Sequence, residues 1–107
     1  MSVADIRARM LATAAPKPIA VDTPAWGRVF VRVLTVAEVD AFTPVENDKL
    51  KLARSAARVL CDEAGAPIFD FQNEEDVLAI SQLPWADLGL VLNASSQAMG
   101  AGKAGNA

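Results

Sequence analysis

Six of the 13 acidic side chains of this chain occur in two close groups, a pattern that could hold a divalent cation. The first group is Asp62 with Glu63, and the second consists of Asp70, Glu74, Glu75 and Asp76. Hard cations prefer oxygen ligands, so the second group is the candidate metal site. It lacks the spaced acids and the glycine of a calcium loop, however. We therefore interpret these acids as turn residues and a helix N-terminus, where carboxylates are favourable, and expect no metal or other cofactor.

The nucleophilic side chains lack the neighbours that would activate them. Cys61 is the sole cysteine and the chain has no histidine, the commonest general base and metal ligand. Asp62 and Glu63 beside Cys61 would raise the pKa of its thiol rather than lower it. Ser55 and the Ser95–Ser96 pair also have no base in their pattern. We expect Cys61 to be a small apolar residue near a strand, and the protein not to be an enzyme.

A glycine-rich stretch near the C-terminus, Gly100–Lys103, loosely resembles a phosphate-binding loop. Such a loop needs a Ser or Thr after the lysine and a helix that donates its first N–H groups. Ala104 follows Lys103 here, and no helix is predicted beyond it. We therefore expect no nucleotide at this position. Residues 99–107 are interpreted as a flexible tail that follows a single domain of residues 1–98.

Charge is distributed unevenly along the chain, whose net charge is −3. Residues 1–58 contain nine basic and six acidic side chains, whereas residues 59–102 contain seven acidic ones and no basic one. Nucleic-acid binding requires a basic face, and the aromatic residues form no stacking ladder, so we expect no nucleic-acid partner. Opposite charge at two ends could assist head-to-tail self-association or partner recognition. The alternative is two ordinary solvated faces.

The length and composition favour one domain with one core. The chain has 107 residues, 52 % of them apolar, and much of that share is alanine, which favours closely packed helices. No apolar run approaches the ~20 residues of a membrane span, and the N-terminus has no secretion-signal pattern. We expect no membrane partner and a cytoplasmic location. The large side chains predicted to anchor the core are Trp26, Phe30, Phe69, Phe71 and Trp85.

Local patterns predict an α+β fold: a small, mainly helical domain with about five helices and one or two short β-hairpins. The first half is predicted to contain a helix from Ser2 to about Ala14 with an apolar stripe of Ile6, Met10 and Leu11, a hairpin within residues 19–34, and a short helix after Thr35. The second half is predicted to contain a helix from Pro44 or Asp48 with Leu50, Ala53, Ala57 and Leu60 inward and Lys49, Lys51 and Arg54 outward, a small hairpin over about 59–71, and helices from Asn73 and Pro84.

Partner contact is expected at the acidic segment and at the start of the last helix. Trp85 follows Pro84 there, and we interpret its side chain as part of the core, or alternatively as partly exposed at an interface. The residues predicted for partner binding are Asp70, Phe71, Glu74, Glu75, Asp76 and Trp85.

The order of these features resembles the tail assembly chaperones of long-tailed bacteriophages. The resemblance covers about residues 26–99 and rests on three stretches. They are a valine-rich strand leading into a capped helix (31–40), a helix running into a hairpin (56–69), and the pattern 76–84 that leads to a helix containing Leu92-Asn93-Ala94.

This resemblance implies a protein that binds the tape measure protein and helps to recruit the major tail protein. It also implies action in the host bacterial cytoplasm, absence from the mature virion, and a longer form made by translational frameshifting in many members. Gly102-Lys103 is compatible with a slippery codon run. We further expect self-association through helices. The second hypothesis for the function is a structural head–tail connector or tail terminator subunit. The third is a small enzyme or regulatory domain.

Overall fold

The computed structural model describes residues 2–98 and shows a small α+β domain, as predicted. Within these residues, five helices accompany one three-stranded antiparallel sheet. The predicted flexible tail lies outside the described residues. The elements are α1 (Val3–Leu11), β1 (Ile19–Thr23), β2 (Gly27–Val31), α2 (Val36–Ala41), α3 (Lys51–Val59), β3 (Leu60–Cys61), α4 (Glu74–Ser81) and α5 (Trp85–Ala98).

The helix N-termini follow the capping patterns in the sequence. The side chains of Ser2 and Thr35 each accept a hydrogen bond from the backbone N–H three residues later, and the carboxylates of Asp5 and Glu38 accept one from the N–H of the cap residue. Asn73 accepts from two N–H groups in the first turn of α4. These side chains satisfy backbone donors that the helix itself leaves unpaired, which fixes where each helix begins. The first helix ends at Leu11, earlier than predicted.

The predicted start of the third helix at Pro44 or Asp48 is wrong. The helix begins only at Lys51, after a loop in which Asn47 has a left-handed backbone with φ 53°. That conformation cannot continue a right-handed helix. The Asp48 carboxylate instead accepts a 3.0 Å hydrogen bond from the N–H of Leu50, just before the helix.

The first predicted hairpin is confirmed. Strands β1 and β2 pair antiparallel with Ile19 opposite Val31 and Thr23 opposite Gly27. The Thr23 hydroxyl donates to the Gly27 carbonyl at 2.9 Å, which closes the turn, and Gly27 takes a positive φ of 70° there. The short strand β3 adds to the other edge of β2, giving the order β1-β2-β3.

The second predicted hairpin is only a rudiment. The chain reverses at Asp62, whose carboxylate accepts from the N–H groups of Ala64 and Ala66 at 2.9 Å each. Beyond the turn, pairing is limited to an isolated bridge between Cys61 and Pro67. This bridge rests on two backbone hydrogen bonds, from the N–H of Asp62 to the Ala66 carbonyl at 2.9 Å and from the N–H of Ile68 to the Leu60 carbonyl at 3.3 Å.

The core is built from small and branched aliphatic side chains. Helix α3 packs on α4, and α5 packs on the first two strands. Alanines on the inner face of α3 allow neighbouring elements to approach closely, as the composition predicts. The buried apolar core residues are Val31, Ala53, Ala56, Ala57, Val59, Leu60, Cys61, Val77, Ile80, Leu88 and Val91.

The aromatic side chains do not form the centre of this core. Trp26, Phe69 and Phe71 are partly buried at its border, and Phe30 is half-buried. The core position of Trp85 is wrong, because 63 % of this residue is exposed. Its indole instead lies along the outer surface of α5, beside Gly89.

Asp87 connects the β1–β2 hairpin to the helical part of the domain, whereas helix α1 is exposed. Asp87 in the first turn of α5 is only 2 % exposed and accepts hydrogen bonds from the backbone of the β1–β2 turn. Helix α1 does the opposite: every residue from Ser2 to Lys17 is exposed. Its predicted apolar stripe is therefore exposed in the domain, with Ile6 at 44 %, Leu11 at 56 % and Met10 at 68 %.

No single helix within residues 2–98 is long and apolar enough to cross a membrane. Helices α4 and α5 reach the required length and composition only when taken together, and the chain bends by 116° at the break between them.

Candidate functional site

The predicted acidic partner surface is a hydrogen-bonded turn at the start of α4. The backbone N–H of Asp70 donates to the Asp76 carboxylate at 2.8 Å, and the Asp70 carboxylate accepts from the N–H of Gln72 at 2.9 Å. These bonds use the carboxylates to order the turn. Within residues 2–98, no group of three or more ligating side chains is placed to hold a metal ion.

The remaining predicted partner residues have different roles. The Glu74 carboxylate is 70 % exposed and forms an ion pair with Arg54 at 2.9 Å. Glu75 is exposed beside it, in the first turn of α4. Among the described residues, no hydrogen bond, ion pair or ring contact joins Trp85 to this acidic segment. The structure therefore brings Asp70, Phe71, Glu74 and Asp76 together and leaves Trp85 on a separate surface.

Arg54 is the centre of a buried charge network, so its predicted outward position is wrong. Its side chain is 8 % exposed and contacts the Asp48 carboxylate through Nε at 2.7 Å. The same guanidinium donates to the Phe71 carbonyl at 3.1 Å. The hydrogen bond from Arg54 is the main reason that the pKa of Asp48 lies below its ordinary value. The network ties the loop before α3 to the turn before α4.

Next to this network, Arg58 stacks on an aromatic pair that the sequence pattern does not reveal. Its guanidinium carbon lies 3.7 Å from the ring centroid of Phe42 and 5.9 Å from that of Phe71. The two rings are 6.1 Å apart and tilted by 59°. A planar guanidinium on a ring face is a favourable cation–π contact. Burial lowers the pKa of Arg58, because desolvation disfavours its charged form.

Arg32 and Glu38 complete this group. Their side chains form an ion pair between the chain just after β2 and helix α2. Glu38 also accepts from the N–H of Thr35, and this backbone hydrogen bond is the main cause of its lowered pKa, with Arg32 contributing. We call the group of Arg32, Glu38, Phe42, Arg58 and Phe71 the arginine–aromatic site.

Two grooves in this site are lined by both Arg58 and Phe71. One of about 210 Å³, between α2 and Phe71, is lined by Arg32, Leu34, Glu38, Ala41, Phe42, Arg58, Phe71 and Gln72. The other, of about 450 Å³, has Asp70 and Asp76 in its lining together with Arg32 and Arg58. The arrangement can hold a polar group at Arg58 and apolar groups against the rings. This geometry is suited to binding a ligand that has both polar and apolar groups.

Cys61 lies away from solvent in β3, 1 % exposed, as a small apolar residue. Burial is the main cause of the raised pKa of its thiol; Asp62 also raises it, and Arg32 opposes the effect. A buried thiol with a raised pKa is a weak nucleophile, because the thiolate is the reactive form.

Phe42 and Arg58 are the residues of the candidate site that the sequence patterns do not predict. One signal could have pointed to them: Arg54 and Arg58 are four residues apart and so share one helix face, directly beside the alanines that face the core. Two arginines next to the buried face of a helix are partly desolvated, so they require hydrogen-bond acceptors or aromatic ring faces from other parts of the fold.

The chain was compared with known proteins in three ways. No protein-family model matches it. No curated protein matches it, and no solved structure does. Its function is therefore inferred from the sequence and from the geometry described above.

Proposed function

We propose that this protein is a tail assembly chaperone of a long-tailed bacteriophage or prophage. It binds the tape measure protein in the host cytoplasm, helps to recruit the major tail protein, and is absent from the mature virion. It acts by reversible binding as a homo-oligomer and not as an enzyme. The sequence resemblance over residues 26–99 supports the family, and the exposed surface of the domain supports binding to apolar helices.

The observation that carries this proposal is the large number of exposed apolar side chains, most of which lie on the helices. Exposed apolar side chains that cluster on a small protein mark surfaces for association. The most exposed large apolar residues are Val3 (83 %), Val36 (79 %), Met10 (68 %), Trp85 (63 %), Leu11 (56 %), Leu52, Ile68 and Leu78 (54 % each) and Val45 (50 %).

Helix α1 presents the clearest of these surfaces. Val3, Ile6 and Met10 recur at steps of three and four residues, so they share one face of the helix. A nine-residue helix is marginal in water by itself, because nucleation is unfavourable. Pairing with an apolar helix of the client would bury this face and stabilise α1. Tape measure proteins are long and helical, so they offer such faces repeatedly.

Co-expression tests the proposal directly. The long helical protein encoded beside this one would be produced alone, with the wild-type chain, or with an Ile6→Ser/Met10→Ser variant. We expect the wild-type chain to keep the client soluble and to co-purify with it, and the variant to lose at least about tenfold in retained client, since burial of two apolar side chains is removed. Ala8→Ser is the matched control, because Ala8 lies on the opposite face of α1.

A client that is equally soluble with and without the chaperone would contradict the proposal. Purified phage particles provide the second arm. A chaperone is absent from them, whereas a connector or terminator subunit remains in a fixed stoichiometry. Finding this chain in intact particles would establish the structural alternative.

A further inference from the structure

We propose that the groove between α2 and Phe71 binds a carboxylate of a partner polypeptide, with the Arg58 guanidinium as the principal donor. The ligand is an aspartate or glutamate side chain whose neighbours are apolar. The inference rests on the proposed function only in taking the partner to be a protein.

The first step is the state of Arg58. Within residues 2–98 its guanidinium has two ring contacts but no hydrogen-bond acceptor and no ion-pair partner within 4 Å. No buried side-chain nitrogen or oxygen of these residues lacks a partner, so the free donors of Arg58 must reach solvent. The ring contact occupies the flat face of the guanidinium. Its N–H donors lie in the guanidinium plane, away from the ring face, and Arg58 lines the groove.

The second step is the charge of the two grooves, both of which are lined by Arg32 and Arg58. In the groove of about 210 Å³, these two arginines face a single carboxylate, that of Glu38, which is paired with Arg32. In the groove of about 450 Å³, the carboxylates of Asp70 and Asp76 accompany the same two arginines, so that lining is neutral. A further carboxylate is therefore better accommodated in the groove beside α2.

The third step is the shape of the site. Apolar walls from Leu34, Ala41, Phe42 and Phe71 surround the donor, and burial already costs Arg58 part of its hydration. Charge-assisted hydrogen bonds to a carboxylate would compensate Arg58 for this lost hydration, and such bonds are stronger in a partly desolvated site. Stacking on Phe42 fixes the guanidinium in advance, which reduces the entropy lost on binding. The volume accommodates one side chain, so the ligand is a single acidic residue and not an acidic tract.

The test uses the full-length protein and a short capped peptide in which one glutamate is flanked by leucines on a helix face. Titration is followed by NMR of backbone amides and arginine Nε–H groups. We expect saturable shifts at Phe42, Arg58, Phe71 and Gln72. The same peptide with glutamine in place of glutamate should bind at least about tenfold more weakly, because the charge-assisted bonds are lost.

Variants separate the site from general charge attraction. Arg58→Gln should weaken the glutamate peptide by about tenfold and leave the glutamine peptide unchanged, whereas Arg28→Gln, which removes an exposed arginine on the β1–β2 hairpin, should change neither. Equal binding of the two peptides, or shifts centred away from Phe42 and Phe71 in the wild-type protein, would overturn the proposal whether or not Arg58→Gln folds. If the wild-type protein does not bind the glutamate peptide but still keeps the client soluble, the carboxylate site is refuted and the chaperone function is not.

Discussion

The Asp87 carboxylate accepts a 2.8 Å hydrogen bond from the backbone N–H of Ala25. The next N–H, that of Trp26, donates to the same oxygen at 3.3 Å. These residues are more than sixty positions apart in sequence, so the contact joins the β1–β2 turn to the first turn of α5. Asp87 is only 2 % exposed, and its carboxylate takes the place of the water molecules to which these N–H groups would donate in an exposed turn.

Replacing Asp87 by alanine should therefore destabilise the domain strongly. The N–H of Ala25 would lose its acceptor, and that of Trp26 would keep only the Thr23 hydroxyl, to which it also donates at 3.1 Å. The expected decrease in the free energy of unfolding is about 1–3 kcal/mol. Asp87→Asn keeps one acceptor oxygen and should lose about half as much. Urea unfolding measures both values. Asp22→Ala is the control, since its ion pair with Arg28 is exposed, and an effect as large as that of Asp87→Ala would contradict this account.

Arg54→Met should lower the thermal midpoint by about 10 °C, because Asp48 would be left without its partner in a place where it is 11 % exposed. The Phe71 carbonyl would also lose a donor. Arg28→Met removes an exposed ion pair and should change the midpoint by about 2 °C or less. Equal effects of the two substitutions, measured by calorimetry, would show that the Arg54 network is not a structural centre.

The Asp48 carboxyl should make stability depend on acidity. Its folded pKa is lower than its unfolded value, chiefly through the hydrogen bond from Arg54. The unfolded chain therefore binds more protons in the acid range, so stability rises with pH there. This contribution is complete above the unfolded pKa of about 4 and is lost as pH falls through the folded pKa.

Unfolding free energies measured from about pH 6 down to about pH 3 check this, and the slope should be shallower in Asp48→Asn than in the wild type. The Arg54→Met background supplies the control, because there Asp48→Asn should add little to the change in slope. Glu38, whose pKa is also lowered, maintains part of the acid dependence in every variant. An unchanged slope in Asp48→Asn alone would be inconsistent with the network.

Gly89→Ala should stabilise the domain by about 0.5–1 kcal/mol. Gly89 lies inside α5, where alanine is the better helix former. A Cβ at this position would lie 3.8 Å from the Trp85 ring, an ordinary contact. Gly65→Ala is the opposite case, because Gly65 has a φ of +91° and any side chain there is strained. The thermal midpoint should rise for Gly89→Ala and fall for Gly65→Ala. The opposite order would contradict the roles given to these two glycines.

Local chemistry allowed most of the elements to be predicted. Ser2, Thr35 and Asn73 act within three residues of themselves, so their effect can be interpreted from the sequence alone. The start of α3 could not, because its Thr43-Pro44 pattern competes with the left-handed Asn47 and with the bond between Asp48 and Arg54. The Asp48–Arg54 bond requires the loop before α3 to fold back toward the helix, and this loop conformation cannot be predicted from the local sequence.

The candidate site was harder to predict for the same reason. Glu74 and Asp76 are visible as a helix N-terminus, and the structure keeps them there. Phe42 and Arg58 come from different elements and meet only because α3 packs beside the segment that follows α2. Trp85 was misjudged because its size suggests burial, whereas Leu88 and Val91 already fill the inner face of α5.

The connection between α1 and the sheet, residues 12–18, ends in the segment Pro16–Pro18 and has a consequence for binding. The two prolines make these last three residues a stiff spacer of roughly 10 Å, and the connection is short, so α1 stays within close range of the domain that carries it. Once one surface of the domain is attached to a client, docking of α1 becomes an intramolecular event at high effective concentration. Two contacts that are individually weak would then give durable attachment, and loosening either one would be enough to start release.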